Sequence, residues 1–346
     1  MYMEPTIIQR KAGQRAKVTV LCLTYNHQHY IEDALQGFLN QETTFPFEII
    51  IHDDASTDRT PEILQEWQKR YPDKITLVLE KENQFSKHVF FLQSIMLPMA
   101  QGRYVAICEG DDFWTCTTKL QQQFDSLEQH PTATCCVCDV VEYDDRTHKR
   151  TSKIYSDSNL KESGLVPRSK IVEEITCDYP FQTSGYFFRT DTLLTPRNEN
   201  ERRLFEIAFD RAILLSLASR GDFYYIKKTM SCYRVNVKGS ISNTWAFNDE
   251  FFRISRRIHM NVFDLFDKAT NGQYHSLMAS AIEHWKTELD RSEIGALLSQ
   301  GKFKDIYENY RHTTAYHKYM GRKIKLLCFL RMTPKIMYVY NWWKNR

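Results

Sequence analysis

Between residues 17 and 141, short apolar runs alternate with stretches whose apolar residues recur every three or four positions. The runs at 17–23, 47–51, 75–79, 104–108 and 134–141 are rich in Val, Ile and Leu and end in turn-forming residues, which predicts buried strands. Residues 29–40 place Ile31, Ala34, Leu35 and Phe38 at helical spacing. A second helix starts near Thr60, a good N-cap. Pro61 and Glu62 suit its first turn, and Ile63, Leu64 and Trp67 mark its buried face. Further helices are predicted over 89–100, where Pro98 disturbs the end, and over 119–129. Strict strand–helix alternation predicts an α/β fold, a parallel sheet with helices on both faces.

The second half is less regular. Residues 142–168 are polar and predict a loop-rich excursion. A short helix follows over 169–175, a strand over 184–188, a long helix over 204–219 carrying Asp210, and a strand over 223–226. From Trp245 onward the pattern is wholly helical, and residues 1–16 show no periodicity and read as a loose lead-in. There is no internal repeat.

Two predicted strand ends carry clustered acids: Asp53-Asp54 and Glu109-Gly110-Asp111-Asp112. In a parallel sheet both sets leave on the same edge, where open α/β sheets bind ligands. Carboxylates packed together repel unless a cation neutralises them. Hard oxygen donors suit magnesium or manganese, which in turn hold phosphates. The chain has no Walker loop and no G-x-G-x-x-G, which argues against a P-loop or a dinucleotide cofactor.

Thr24-Tyr25-Asn26, then His52-Asp53-Asp54-Ala55-Ser56-Thr57-Asp58-Arg59-Thr60, then the segment from Gly102 to Trp114 with its E-G-D-D-aromatic-Trp form come in this order. Together they resemble the nucleotide-sugar half of the family 2 glycosyltransferases, the inverting group with the GT-A fold. The resemblance implies a Rossmann-like, mostly parallel sheet; residues after about 245 match nothing in the family, and their helical pattern makes them a C-terminal extension. This divides the chain into a lead-in (1–16), a transferase domain (17–244, with a nucleotide-sugar half at 17–145 and an acceptor half at 146–244) and an extension (245–346).

The resemblance also implies roles. Thr24, Tyr25, Asn26, Asp53, Asp54, Glu109, Gly110, Asp111 and Arg234 would bind the nucleotide sugar. Asp111 and Glu109 would hold Mn²⁺ or Mg²⁺. Asp112, Trp114, Thr183 and Ser184 would lie on the acceptor side, and Asp210 would be the catalytic base. Asp178, Asp191 and Asp222 are the competing acids. The chain departs from the family pattern at Glu109, which replaces the usual first Asp of the metal motif and leaves Asp111 the firmer ligand. It departs again at Phe209, where an acid often precedes the base, and at Asn236, where His is frequent. The implied substrates are a nucleoside-diphosphate sugar, a UDP-sugar above others, and a glycan or lipid-linked acceptor, as in cell-surface polysaccharide assembly. A nucleotidyltransferase would need a Gly-rich basic loop after the first strand, and Thr24-Tyr25-Asn26-His27 is not one. A catalytically silent sugar-binding protein would keep the fold and lose the base.

Composition adds location. No apolar stretch is long enough to span a bilayer, no secretory signal precedes the first strand, and nine cysteines without framework spacing fit reduced thiols in a cytoplasm. Cys135 and Cys138 form a C-x-x-C inside an apolar run, which predicts a buried strand rather than a zinc site. The formal net charge is +3, yet residues 309–346 hold nine Lys or Arg and no acid, against 37 basic and 43 acidic side chains elsewhere. Ile324, Leu326, Leu327, Phe329, Leu330, Trp342 and Trp343 are interspersed among those charges. This predicts either peripheral docking on the inner face of an anionic membrane or a C-terminal helix packed on the body of the chain, and no nucleic-acid partner.

Overall fold

The computed structural model describes residues 4–11, 13–87, 92–155, 160–177, 181–207, 210–237, 249–322 and 325. The first elements are β1 (Thr6–Ile8), β2 (Val18–Thr24), α1 (Ile31–Leu39), β3 (Phe47–Asp53), α2 (Thr60–Arg70) and β4 (Ile75–Leu79). A π-helical turn, Leu92–Met96, leads into α3 (Leu97–Met99), followed by β5 (Tyr104–Ile107), β6 (Phe113–Trp114), α4 (Lys119–Gln129) and β7 (Ala133–Asp144). Then come β8 (Lys149–Tyr155), β9 (Gly164–Val166), α5 (Arg168–Cys177), β10 (Phe187–Arg189), α6 (Asp191–Leu194), α7 (Glu199–Phe205), α8 (Asp210–Ala218) and β11 (Asp222–Val235). The remaining described elements are α9 (Asp249–Ala269), α10 (His275–Ser299), α11 (Phe303–Tyr310) and α12 (Thr314–Tyr319).

The described strands form one eleven-stranded sheet in the order β1-β4-β3-β2-β5-β10-β7-β11-β6, with β8 on β7 and β9 on β11. The block β4-β3-β2-β5 is parallel, as the alternation predicts. The fifth predicted strand is not the next neighbour. β10 lies between β5 and β7 and runs antiparallel to both, so β7 keeps the parallel direction one strand further out. Val18, Val20, Cys22, Ile49, Ile51, Ile75, Leu77, Tyr104 and Ala106 face one packed layer with Ile31, Leu35, Phe38, Leu64 and Trp67 of α1 and α2.

Several sequence expectations need correction. Thr6–Ile8 of the presumed loose lead-in pairs antiparallel with β4, a strand too short to show a period. The polar stretch 142–168 is the end of β7, β8 and β9, whose exposed edge faces carry polar residues. The strand expected at 184–188 begins with a 3₁₀ turn, Thr183–Gly185, and the helix expected over 204–219 is broken between α7 and α8. Cys135 and Cys138 sit in β7 as free, buried thiols, and their spacing puts them on opposite faces of a strand.

The chain divides into two compact units, residues 1–240 with 265–273, and residues 241–264 with 274–346. The second has its own apolar cluster of Ile294, Ile306, Ala315, Tyr316 and Met320. No described helix is long and apolar enough to cross a membrane. The membrane-docking tail proposed from residues 322–346 lies outside the described residues except for Arg322 and Lys325.

Candidate active site

The C-terminal ends of β2, β3 and β5 share one sheet edge, and the loops leaving them are stitched together. Asp54 N donates to Thr24 O at 3.0 Å and Gly110 N to Leu23 O at 2.8 Å. Asn26, held at φ 57°, accepts from Thr57 N at 2.7 Å through its side chain, while its own N–H donates to Ser56 Oγ at 2.8 Å. Gly110 is required by close approach: a Cβ there would stand 2.8 Å from Thr24 Oγ1 and 2.9 Å from Ile31 Cδ1.

The signature Asp53-Asp54 spends its carboxylates on the chain itself. Asp53 accepts from Ser56 N at 3.0 Å and Ser56 Oγ at 2.5 Å, closing a turn in which Ala55 holds φ 59°. Burial raises the Asp53 pKa, against the lowering pull of Ser56. Asp54 accepts from Gln84 N at 2.6 Å and Phe85 N at 3.1 Å, fixing the loop after β4. The start of α2 is organised by Asp58 rather than by Thr60 as cap. Asp58 accepts from Thr60 N at 2.9 Å, Thr60 Oγ1 at 2.6 Å and Gln28 N at 3.0 Å, and these bonds outweigh burial and hold its pKa low.

The acid turn after β5 has three carboxylates with three environments. Asp112 is 2% exposed and accepts from Arg234 N at 2.9 Å; burial, then Asp111 and Glu109, push its pKa well up. Glu109 is partly buried. Burial first, then Asp210 and Asp111, push it up to about 8, while Thr183 opposes this with a hydrogen bond. Asp111 remains partly exposed, its Oδ2 3.8 Å from His27 Nε2. The influence of Asp210 on Glu109 brings the first turn of α8 to this turn, which sequence distance alone does not reveal. Two of the competing acids lie at the other sheet edge. Asp222 pairs with Ala133 at the start of β7 and accepts from Arg168 N at 3.0 Å. Asp191 follows Arg189, which pairs with Tyr104 at the start of β5. Asp178 lies outside the described residues.

The residues expected on the acceptor side are enclosed: Asp112, Thr183, Ser184 and Trp114 are 2%, 5%, 0% and 5% exposed. Trp114 packs edge-on to Phe38 and donates to Ser184 O at 3.1 Å, and Ser184 Oγ accepts from Ser231 Oγ at 2.9 Å. These residues back the acid turn from the core. Arg234, expected on phosphate, is also internal. Its guanidinium bonds Asp111 O at 2.8 Å, Asp33 Oδ2 at 2.7 Å and Asp145 Oδ1 at 3.4 Å, under the rings of Phe113 and Tyr30. Of the expected nucleotide contacts, Tyr25 and Asn26 are exposed, and Glu109 and Asp111 are partly so. Thr24 is buried against Gly110.

Among the described residues no three His, Cys, Asp or Glu side chains converge as a ready-made metal cage. The turn nevertheless fits a divalent cation. Burial and the neighbouring acids raise the pKa values of Glu109 and Asp112, and the partly exposed Asp111 offers oxygen, as expected where a substrate's phosphates supply the other ligands. Repulsion in the cation-free turn has a measurable sign. Glu109 binds its proton more tightly in the folded chain, so between pH 4.5 and about 8 the fold loses stability as pH rises. Glu109→Gln should therefore raise the unfolding midpoint of the metal-free protein above about pH 8, with the gain fading towards pH 4.5; thermal denaturation across that range checks it.

Residues 19–194, about half of the chain, match glycosyl transferase family 2. The putative teichuronic acid biosynthesis glycosyltransferase TuaG of Bacillus subtilis is 36% identical over 116 residues, 34% of this chain and 44% of that one. An uncharacterized protein of Mycobacterium tuberculosis, Rv1520, is 44% identical over 119 residues, 34% of each chain. The chain thus spans less than half the length of these curated relatives. Among solved structures, S. aureus TarS 1–349 in complex with UDP-GlcNAc has a TM-score of 0.54 at 16% identity, covering 80% of this chain and 81% of that one, a likeness of fold.

Proposed function

This chain belongs to glycosyl transferase family 2, and on that premise we propose that it moves a hexose from a nucleoside-diphosphate sugar to a hydroxyl of a glycan or lipid-linked saccharide, with inversion. The observation that carries this reading is the acid turn at the end of β5, with Asp111 partly exposed; the charge of Asp210, which helps raise the Glu109 pKa, supports it. A diphosphate-binding acid turn and a separate carboxylate beside it are the two groups that a single displacement needs. Asp210 takes the proton of the acceptor hydroxyl as its oxygen bonds to the anomeric carbon, while the bond from that carbon to the diphosphate oxygen breaks on the opposite face. No protein nucleophile takes part.

Asp111, with Glu109, would hold Mn²⁺ or Mg²⁺, whose charge would offset that of the departing diphosphate. Tyr25 and Asn26 present an exposed rim at the end of β2 for the nucleoside. Membership of a cell-surface polysaccharide pathway is supported by the name of TuaG, and a UDP-sugar by the ligand in the TarS structure.

A panel of nucleotide sugars supplied with Mn²⁺ and glycan or lipid-linked acceptors should give acceptor-dependent release of one nucleoside diphosphate. Asp111→Asn should weaken binding of that diphosphate when Mn²⁺ is present and leave it unchanged in chelator. Equal affinity of mutant and parent under both conditions removes Asp111 from the metal site.

A further inference from the structure

His27 takes no part in the roles assigned so far, yet it stands at the acid turn. Its main-chain carbonyl accepts from Tyr30 N and Ile31 N, both at 2.9 Å, which fixes it at the entry to α1. Its ring lies edge-on to Tyr30 with centroids 6.4 Å apart. The side chain is 16% exposed, with Nε2 3.8 Å from Asp111 Oδ2, and Nδ1 is buried with no hydrogen-bond partner among the described residues.

A neutral imidazole carries its proton on one nitrogen. On Nδ1 the proton would be a buried donor with no acceptor, and Nε2 would turn a lone pair towards the Asp111 carboxylate. On Nε2 the proton faces that carboxylate, which attracts it. The pair is nevertheless too far apart for a direct hydrogen bond. His27 therefore offers an N–H donor to the space beside Asp111, where no described residue takes it up.

We propose that this Nε2–H is a binding group for the diphosphate of the sugar donor. It donates to a phosphate oxygen lying against Asp111, and the bond strengthens as that oxygen gains charge on leaving. The inference rests on the nucleotide-sugar reading above and adds to it a residue outside the acid turn. It also differs from the role expected of Arg234, whose guanidinium is already held by Asp33, Asp145 and the Asp111 carbonyl.

The test is calorimetric binding of UDP and GDP, each in MnCl₂, to the parent, His27→Ala and His27→Gln, with uridine and guanosine as nucleoside controls. His27→Ala should bind whichever diphosphate the parent prefers at least about tenfold more weakly, the cost of losing a hydrogen bond to a charged group. It should keep parental affinity for the matching nucleoside. His27→Gln places an amide N–H near the position of Nε2 and should recover most of the loss. Parental diphosphate affinity in His27→Ala overturns the inference, as does an equal loss for diphosphate and nucleoside, which marks a structural role. A parent that binds neither UDP nor GDP overturns the nucleotide-sugar reading itself, and the inference with it.

Discussion

Asp210→Asn should lower glycosyl transfer by about two to four orders of magnitude and leave diphosphate binding close to parental, the expected cost of losing a positioned general base. The substitution keeps the shape of the side chain and removes its proton acceptor. Asp210 lies in the first turn of α8, whose residues Arg211 to Ala218 are all buried, so the carboxylate is carried on a rigid element. The variant should leave a second trace, because Asp210 is the largest charge contribution raising the Glu109 pKa. The Glu109 carboxyl should titrate at lower pH in Asp210→Asn, visible by carbon-13 NMR of the labelled carboxyl. Near-parental transfer would remove Asp210 from the chemistry. With Asp191 and Asp222 at the opposite sheet edge, the search would then move to Asp178.

Arg234→Leu should destabilise the fold by about 1.5–3 kcal/mol in urea denaturation, the usual cost of losing hydrogen bonds to charged partners. Arg234 is 5% exposed and joins the Asp111 carbonyl, Asp33 and Asp145, while Tyr30 Oη donates to Asp145 Oδ2 at 3.0 Å. Its loss leaves the partly exposed Asp145 without its cation and frees the backbone of the acid turn. Arg234→Lys should recover little, since an ammonium cannot span three acceptors in the plane of a guanidinium. A phosphate clamp would behave in the opposite way, losing diphosphate affinity while the unfolding midpoint stayed put. Urea curves and diphosphate titrations on the same variant separate the two roles.

The parallel block β4-β3-β2-β5 was legible because each strand is a continuous apolar run ending in turn residues, and each helix between them has an apolar stripe. The insertion of β10 between β5 and β7 was not, since strand order is set by packing between segments far apart in sequence. The same holds for β1, β6 and β9, each three residues or fewer and too short for a period to register.

At the site, the acid clusters and Asp210 were legible as residue types in context. Which carboxylate meets solvent was not. Asp54 and Asp112 differ from Asp111 only in what the folded chain hands them: amides of Gln84 and Phe85, an amide of Arg234, or open space beside His27. His27 carried one available signal, an imidazole immediately after the Thr24-Tyr25-Asn26 motif at a strand end. Motif position cannot tell which way the Arg234 guanidinium aims; in the fold it lies under Phe113 and Tyr30.

The central claim is a single displacement with Asp210 as its only base, and the anomeric configuration of the product tests it most directly. With an α-linked nucleotide sugar that the enzyme consumes, proton NMR of the newly formed linkage should show the β configuration from the first turnovers onward. An α-linked product would contradict the account, because a single in-line displacement at the anomeric carbon must invert it.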